Sequence, residues 1–258
     1  MKFKHLLPIL FITTLHVNTL CAQWASLGSG VAAPNQSVFG VSAVDSEIIW
    51  AISSAYPAVN DHLVRSTDGG ASWSAAPFNI GDGLFAIQLF PVDDLNAWLA
   101  TADEENPISG KIYRTTDGGV TWEEQSTGFT EFNETPAAVH FWNSDEGVAF
   151  GATCYDDYTD QIAIYTTDDG GENWEKVTGG AMPAQLPGEG MCLYSGNGFY
   201  DVVGDNIWFV SSGNRVFRSS DRGRNWEAYL VTGTGSLASL AFKDELNGLA
   251  VRLFPNEA

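Results

Sequence analysis

Four aspartates stand in settings that could support chemistry. Asp68 follows Ser66 and precedes Gly70, Asp117 lies between Thr115 and Gly119, Asp169 between Thr167 and Gly171, and Asp221 between Ser219 and Gly223. A tryptophan closes each stretch: Trp73, Trp122, Trp174 and Trp226. A carboxylate in a glycine turn beside a hydroxyl has the composition of a nucleophile or a general base. Yet the pattern recurs, with the aspartates 49, 52 and 52 residues apart. An active site is built once, whereas a repeated scaffold needs its corner in every unit. The four are therefore read as turn residues. Asp accepts hydrogen bonds from backbone N–H groups ahead of it, Gly supplies the positive φ of a tight reversal, and Trp buries apolar area between units.

Each corner needs elements to hold it, and these repeat as well. An alternating apolar stretch comes first: SVFGVSAV at 37–44, GLFAIQLF at 83–90, AAVHFW at 137–142 and SLASLAF at 236–242. A polar turn leads to a second apolar run, IIWAIS, AWLATA, GVAFGA, NIWFVS or GLAV. A third strand then enters the aspartate motif, and the tryptophan opens a fourth. Four short strands in each unit of about 50 residues, with no helical period, predict an all-β fold, a β-propeller of four-stranded antiparallel blades.

Lys2, Lys4 and His5 precede the apolar run LLPILFITTL, and LCA at 20–22 precedes Gln23. This order describes a cleavable secretory leader over 1–22, too short to anchor in a bilayer, so the mature chain is expected outside the cytoplasm, secreted or periplasmic. Its loss removes two lysines and no acids, taking the formal charge from −20 to −22. A surface this acidic repels phosphate backbones and anionic lipid, which argues against nucleic acid and membrane partners. The propeller is assigned to 23–258, with about four and a half blades of a ring of roughly six to eight. The fifth unit ends after SLASLAFKDELNGLAV without a third strand or a box, so the ring is expected to be incomplete at its C-terminal side.

The remaining candidates are weaker. Glu189, flanked by glycines in LPGEG, could sit at a loop tip over the central channel as a catalytic carboxylate, or serve a turn. Asp156, Asp157 and Asp160 in CYDDYTD offer calcium-like alternate oxygens, but the glycine of an EF-hand loop is missing. DEEN at 103–106 occupies the equivalent loop one unit earlier, which favours acidic loop tips. Cys154 and Cys192 could pair in an oxidising compartment or remain two thiols. His62 and His140 are isolated, and no Cys/His spacing suggests zinc. GSGVAA at 28–33 lacks the strand and helix of a dinucleotide fingerprint. No cofactor is expected.

The S/T-x-D-x-G-x-x-W pattern resembles the Asp-box (BNR) repeat of sialidases, sortilin-like proteins and photosystem II assembly-factor-like propellers. The last resemblance reaches beyond the boxes: FWNSDEGVAFGA at 141–152, TTDDGGENW, LPGEG and VFRSSDRGRNW at 216–226 follow that family's order. A sialidase would need an arginine cluster and an F-R-I-P segment before the first box. Arg65, Arg114 and Arg218 lead into boxes, Arg222 and Arg224 lie inside one, and only Arg215 and Arg252 remain. The expectation is a monomeric, non-catalytic platform that binds or assembles a protein or a glycan. The alternative is a glycoside hydrolase on the same architecture, which needs two carboxylates about 5–10 Å apart.

Overall fold

The structure, a computed structural model, describes residues 37–54, 61–78, 80–81, 83–103, 110–125, 129, 135–152, 162–191 and 198–253. The leader 1–22, the pair Cys154 and Cys192, and Asp156, Asp157 and Asp160 lie outside the described residues.

Four sheets repeat one plan. The first holds β1 (Ser37–Ala43), β2 (Ile49–Ser54), β3 (His62–Ser66) and β4 (Ser74–Pro77) in sequence order, every neighbour antiparallel. The second holds β5 (Leu84–Pro91), β6 (Ala97–Asp103), β7 (Ile112–Thr115) and β8 (Glu123–Glu124). The third holds β9 (Thr135–Phe141), β10 (Gly147–Ala152), β11 (Ala163–Thr167) and β12 (Glu175–Lys176). After a single 3-10 turn at Gly179–Ala181, the fourth holds β13 (Tyr200–Val203), β14 (Asn206–Val210), β15 (Arg215–Ser219) and β16 (Glu227–Leu230). A fifth sheet has two strands, β17 (Ser236–Phe242) and β18 (Gly248–Leu253). This is the blade plan of a partial β-propeller, with the first strands of the second, third and fifth sheets packed on the sheet before them.

The core lies between blades, because each blade is one sheet and must cover its faces with its neighbours. Second strands are buried on both faces, as the runs of Trp50, Ala51 and Ile52 and of Ile207, Trp208 and Phe209 show. Trp98 of β6 stacks flat on Phe141 of β9, ring centres 3.5 Å apart, and Trp208 of β14 stacks on Phe242 of β17 at 4.0 Å. Large aromatic faces buried this way bind one blade to the next.

Two features depart from the sequence expectation. The first strand of blade four, β13, carries too little alternation to stand out, since only four residues precede the tight Gly204–Asp205 turn, where Gly204 takes φ +60°. Secondly, β1, β5, β9 and β17 each contain one extra residue, Phe39, Ile87, Ala137 and Ala238, skipped in the pairing with the second strand. Such a bulge bends and twists the strand, and it recurs in every first strand except β13.

Candidate functional site

The aspartate corners come first, because chemistry was conceivable there. In each box the hydroxyl of Ser66, Thr115, Thr167 or Ser219 donates to the aspartate Oδ1 at 2.8–2.9 Å. The same hydroxyl accepts the N–H of Gly70, Gly119, Gly171 or Gly223. The aspartate spans the turn to residue 72, 121, 173 or 225, taking the backbone N–H on Oδ1 and the side-chain donor on Oδ2. Hydrogen bonds from Thr121 hold the Asp117 carboxyl down at about 2. Asp68, Asp169 and Asp221 are lowered as well. A carboxylate with both oxygens engaged by its own turn and its charged form stabilised there acts as a staple, a poor base or nucleophile. Trp174 and Trp226 are buried, and Trp122 meets Phe78 of the preceding blade edge to face at 5.5 Å. Trp73 is only half-buried.

A second corner, which the sequence reading did not single out, joins first and second strands. Asp45, Asp93, Asn143 and Asp244 each accept two successive backbone N–H groups on Oδ1. Many of the acids are thus consumed as turn caps.

Glu189 is fully buried instead of standing at an exposed loop tip. Its Oε1 accepts from Ser211 Oγ at 2.6 Å and Arg215 Nε at 2.8 Å, while Oε2 accepts from Leu186 N at 2.9 Å and from Arg215 Nη2. Burial raises its pKa, but the Arg215 guanidinium and the other donors outweigh this and leave it below the ordinary range. Arg215 also donates to Ala184 O at 3.0 Å, so the pair clamps the segment before LPGEG onto β15. Gly213 leaves room for it: a Cβ there would stand 2.5 Å from Glu189 Oε1. Among the described residues no group of three His, Cys, Asp or Glu converges as metal ligands, and no helix is long and apolar enough to cross a membrane.

An axial pocket of about 320 Å³ lies where first strands of four blades converge, lined by Ser42, Gln88, Phe90, His140, Tyr200 and Asp201 with Gly198 and Val202. Gln88 and Tyr200 brace it across blades. Gln88 Oε1 accepts from Val139 N at 2.6 Å, its Nε2 donates to Tyr200 Oη at 3.1 Å, and Tyr200 Oη donates to Val139 O at 3.3 Å. His140 lies 4.7 Å from Phe90, 4.7 Å from Trp142 and 6.0 Å from Tyr200, ring centre to ring centre. Burial holds the imidazole down at about 4 and pushes the Tyr200 phenol up to about 12. Near neutral pH both are therefore uncharged, a setting for recognition more than for proton transfer.

The sequence reading missed this pocket, though one signal was available. Ser42, Phe90, His140 and Asp201 occupy one position of the repeat, since they pair with Trp50, Trp98, Val148 and Trp208 of their second strands. The box residues are constant between blades, whereas this position changes chemistry in every one. In a repeat protein, the position freed from scaffold duty is where individual function can reside.

Corner, blade and axial pocket together define an Asp-box β-propeller. The family model Sortilin-Vps10 (sortilin, neurotensin receptor 3) matches residues 61–190, half of the chain, and the chain belongs to that family. Its fold is similar to YCF48 from Cyanidioschyzon merolae, with a TM-score of 0.50 and 17% identity over 82% of this chain and 62% of that one. The chain thus spans less than two thirds of that relative. YCF48 bound to a D1 peptide matches at 17% identity and a TM-score of 0.42, covering 84% of this chain and 75% of that one. The GH74 xyloglucanase from Xanthomonas campestris matches at 17% identity and 0.46, covering 71% of this chain and 28% of that one. No curated protein matches the sequence significantly.

Proposed function

We propose that this chain is an exported, non-catalytic propeller that holds a segment of a partner protein in its axial pocket. One observation carries the reading. The pocket gathers polar and aromatic side chains from positions that the scaffold leaves free, while the conspicuous carboxylates are engaged elsewhere, the four box aspartates within their own turns and Glu189 by Arg215 and Ser211. Concave sites of about 300 Å³ and more, mostly apolar with a few placed polar groups, suit binding. Export rests on the leader pattern at 1–22, and N-terminal sequencing of the mature protein is expected to start at Gln23.

Hydrolysis is the less favoured reading. It asks for two carboxylates facing one cavity, and among the described lining residues Asp201 is the single carboxylate. Phage selection of peptides against the immobilised protein tests the proposal. Enriched peptides should bind the wild type and lose binding to a Phe90→Ala/His140→Ala variant. Equal binding to both would move the site elsewhere on the molecule. Enrichment only on a parallel glycan array would make the ligand a sugar. Polysaccharide turnover abolished by Glu189→Gln would replace the platform with an enzyme.

A further inference from the structure

Resting on that reading of the pocket, we infer that its ligand is the side chain of an arginine, whose guanidinium stacks among Phe90, His140 and Tyr200 and pairs with Asp201. The ring geometry is the first support. Phe90 and His140 stand tilted by 58°, His140 and Tyr200 by 80°, so the three rings are not stacked face to face on one another and a planar cation can lie against a π face. A cation within about 6 Å of a ring centre is attracted by the ring quadrupole, and more strongly when desolvated. The Tyr200 ring is fixed at its hydroxyl by Gln88 and Val139, so little freedom is lost when a ligand arrives.

Asp201 is the second support. It is the one formally charged side chain among the described lining residues. Its Oδ1 accepts from Val202 N and its Oδ2 from Phe242 N at 2.5 Å. A carboxylate offers about four acceptor sites, so each oxygen keeps one, held in place by the backbone on either side. Two such oxygens match the parallel N–H pair of a guanidinium.

The alternatives fare worse on the same geometry. An anion would be desolvated against Asp201 and would meet few donors, since the Ser42 hydroxyl already donates to Leu89 O and Gln88 Nε2 to Tyr200. His140 stays neutral until about pH 4 and supplies no positive charge to an anion. The formal charge of −20 adds long-range attraction for cations. Between the two common cations, the aromatic lining together with the two acceptor oxygens of Asp201 favours the planar guanidinium over ammonium.

The test follows the Phe, His and Tyr ring resonances of the carbon-13-labelled protein by NMR. Three peptides are titrated separately: acetyl-Gly-Arg-Gly-amide, its citrulline counterpart, and its glutamate counterpart. Citrulline keeps the planar shape and removes the charge. Saturable shifts of His140 and Tyr200 with the arginine peptide are expected, with citrulline weaker by about tenfold or more. Asp201→Asn should lose a similar factor. Because Asp201 also caps Phe242 N, Phe90→Leu serves as the second variant, leaving that cap intact and weakening arginine binding several-fold with an unchanged melting temperature. Equal or stronger shifts with citrulline or glutamate overturn the arginine assignment and leave the platform standing. No shift with any peptide overturns the assignment too, and the phage selection then decides the platform separately.

Discussion

At the scale of single residues, the box works because one hydroxyl acts twice. Thr115 donates to Asp117 and accepts the Gly119 N–H, and is itself 1% exposed. Replacing it by Val keeps the shape and strands the N–H, which costs about 1–3 kcal/mol. Thr115→Ser should be nearly silent, since Ser66 and Ser219 fill the same place in other blades. Urea denaturation of both variants checks the contrast, and equal loss in the two would show that the methyl, not the hydroxyl, matters. His140 gives a second residue-level prediction. Its folded pKa of about 4 lies below the ordinary 6.5 because burial disfavours the imidazolium. The neutral form is therefore favoured by the fold, and the stability it contributes is lost as pH falls from about 6.5 toward 4. Its ring resonance should titrate near 4, and a midpoint near 6.5 would mean that water reaches the imidazole freely.

At the scale of elements, the blades are joined by a pair that varies together. Trp50 and Arg65, Trp98 and Arg114, and Trp208 and Arg218 are cross-strand partners, with the guanidinium over the indole at 4.7, 5.2 and 5.7 Å. In blade three both places differ together, to Val148 and Thr166. The next box feels the change. Gly118 and Gly170 leave room for the preceding arginines, whose Nη1 atoms would lie 2.7 and 2.2 Å from an added Cβ. After Thr166 that room is free, and Arg222 takes the place at φ +59°, pairing with Glu146 and Asp205. Thr166→Arg alone should therefore be destabilising, and adding Arg222→Gly should recover part of the loss, with a coupling of about 1 kcal/mol in the double-mutant cycle. Additive effects would break the proposed link between neighbouring blades.

These elements also show what could be read from sequence. The boxes were legible because identical local chemistry forces identical residues, and second strands because both faces are buried. The strand β13 escaped because four residues and a two-residue turn give too short a pattern. The bulges escaped because one extra residue inside an alternating run leaves the apolar composition unchanged. Glu189 was visible as unusual, but its partner Arg215 lies 26 residues away, and no local rule links them. The pocket was least legible: Gln88 and Tyr200 are 112 residues apart and meet only through blade stacking.

At the scale of the whole molecule, acid should act through the corners. The box carboxyls are held below 3.8, Asp117 to about 2. Their stabilisation is complete above the ordinary carboxylate range and disappears as pH falls through the folded values. Protonation of exposed acids relieves the repulsion of the formal −20 charge before that point. On mild acidification this relief offsets the loss at His140 between about pH 6.5 and 4, so the melting temperature should change little there and drop steeply only between about pH 4 and 2. A decline that is already complete at pH 4 would show that the corners are not what acid breaks.

The fifth sheet sets the last expectation. Position 249 corresponds, by its pairing with Ala241, to Trp50, Trp98, Val148 and Trp208. Those four are at most 2% exposed, whereas Leu249 is 77% exposed, and Leu246, Val251 and Leu253 are exposed beside it. In the complete blades a third strand pairs with the second, and the following blade covers its face. Among the described residues no strand pairs with the outer edge of β18 and no sheet covers its apolar face, and a strand presented in this way templates pairing with another chain. The 258-residue chain should therefore self-associate with rising concentration in sedimentation velocity, independently of the axial pocket. Leu249→Lys with Val251→Lys places two charges on that strand and should restore a monomer without lowering the melting temperature, because neither side chain is buried in the wild type. Association that survives this double substitution would place the contact on another surface, and the exposed Val38, Phe39 and Val41 of β1 would be the next to change.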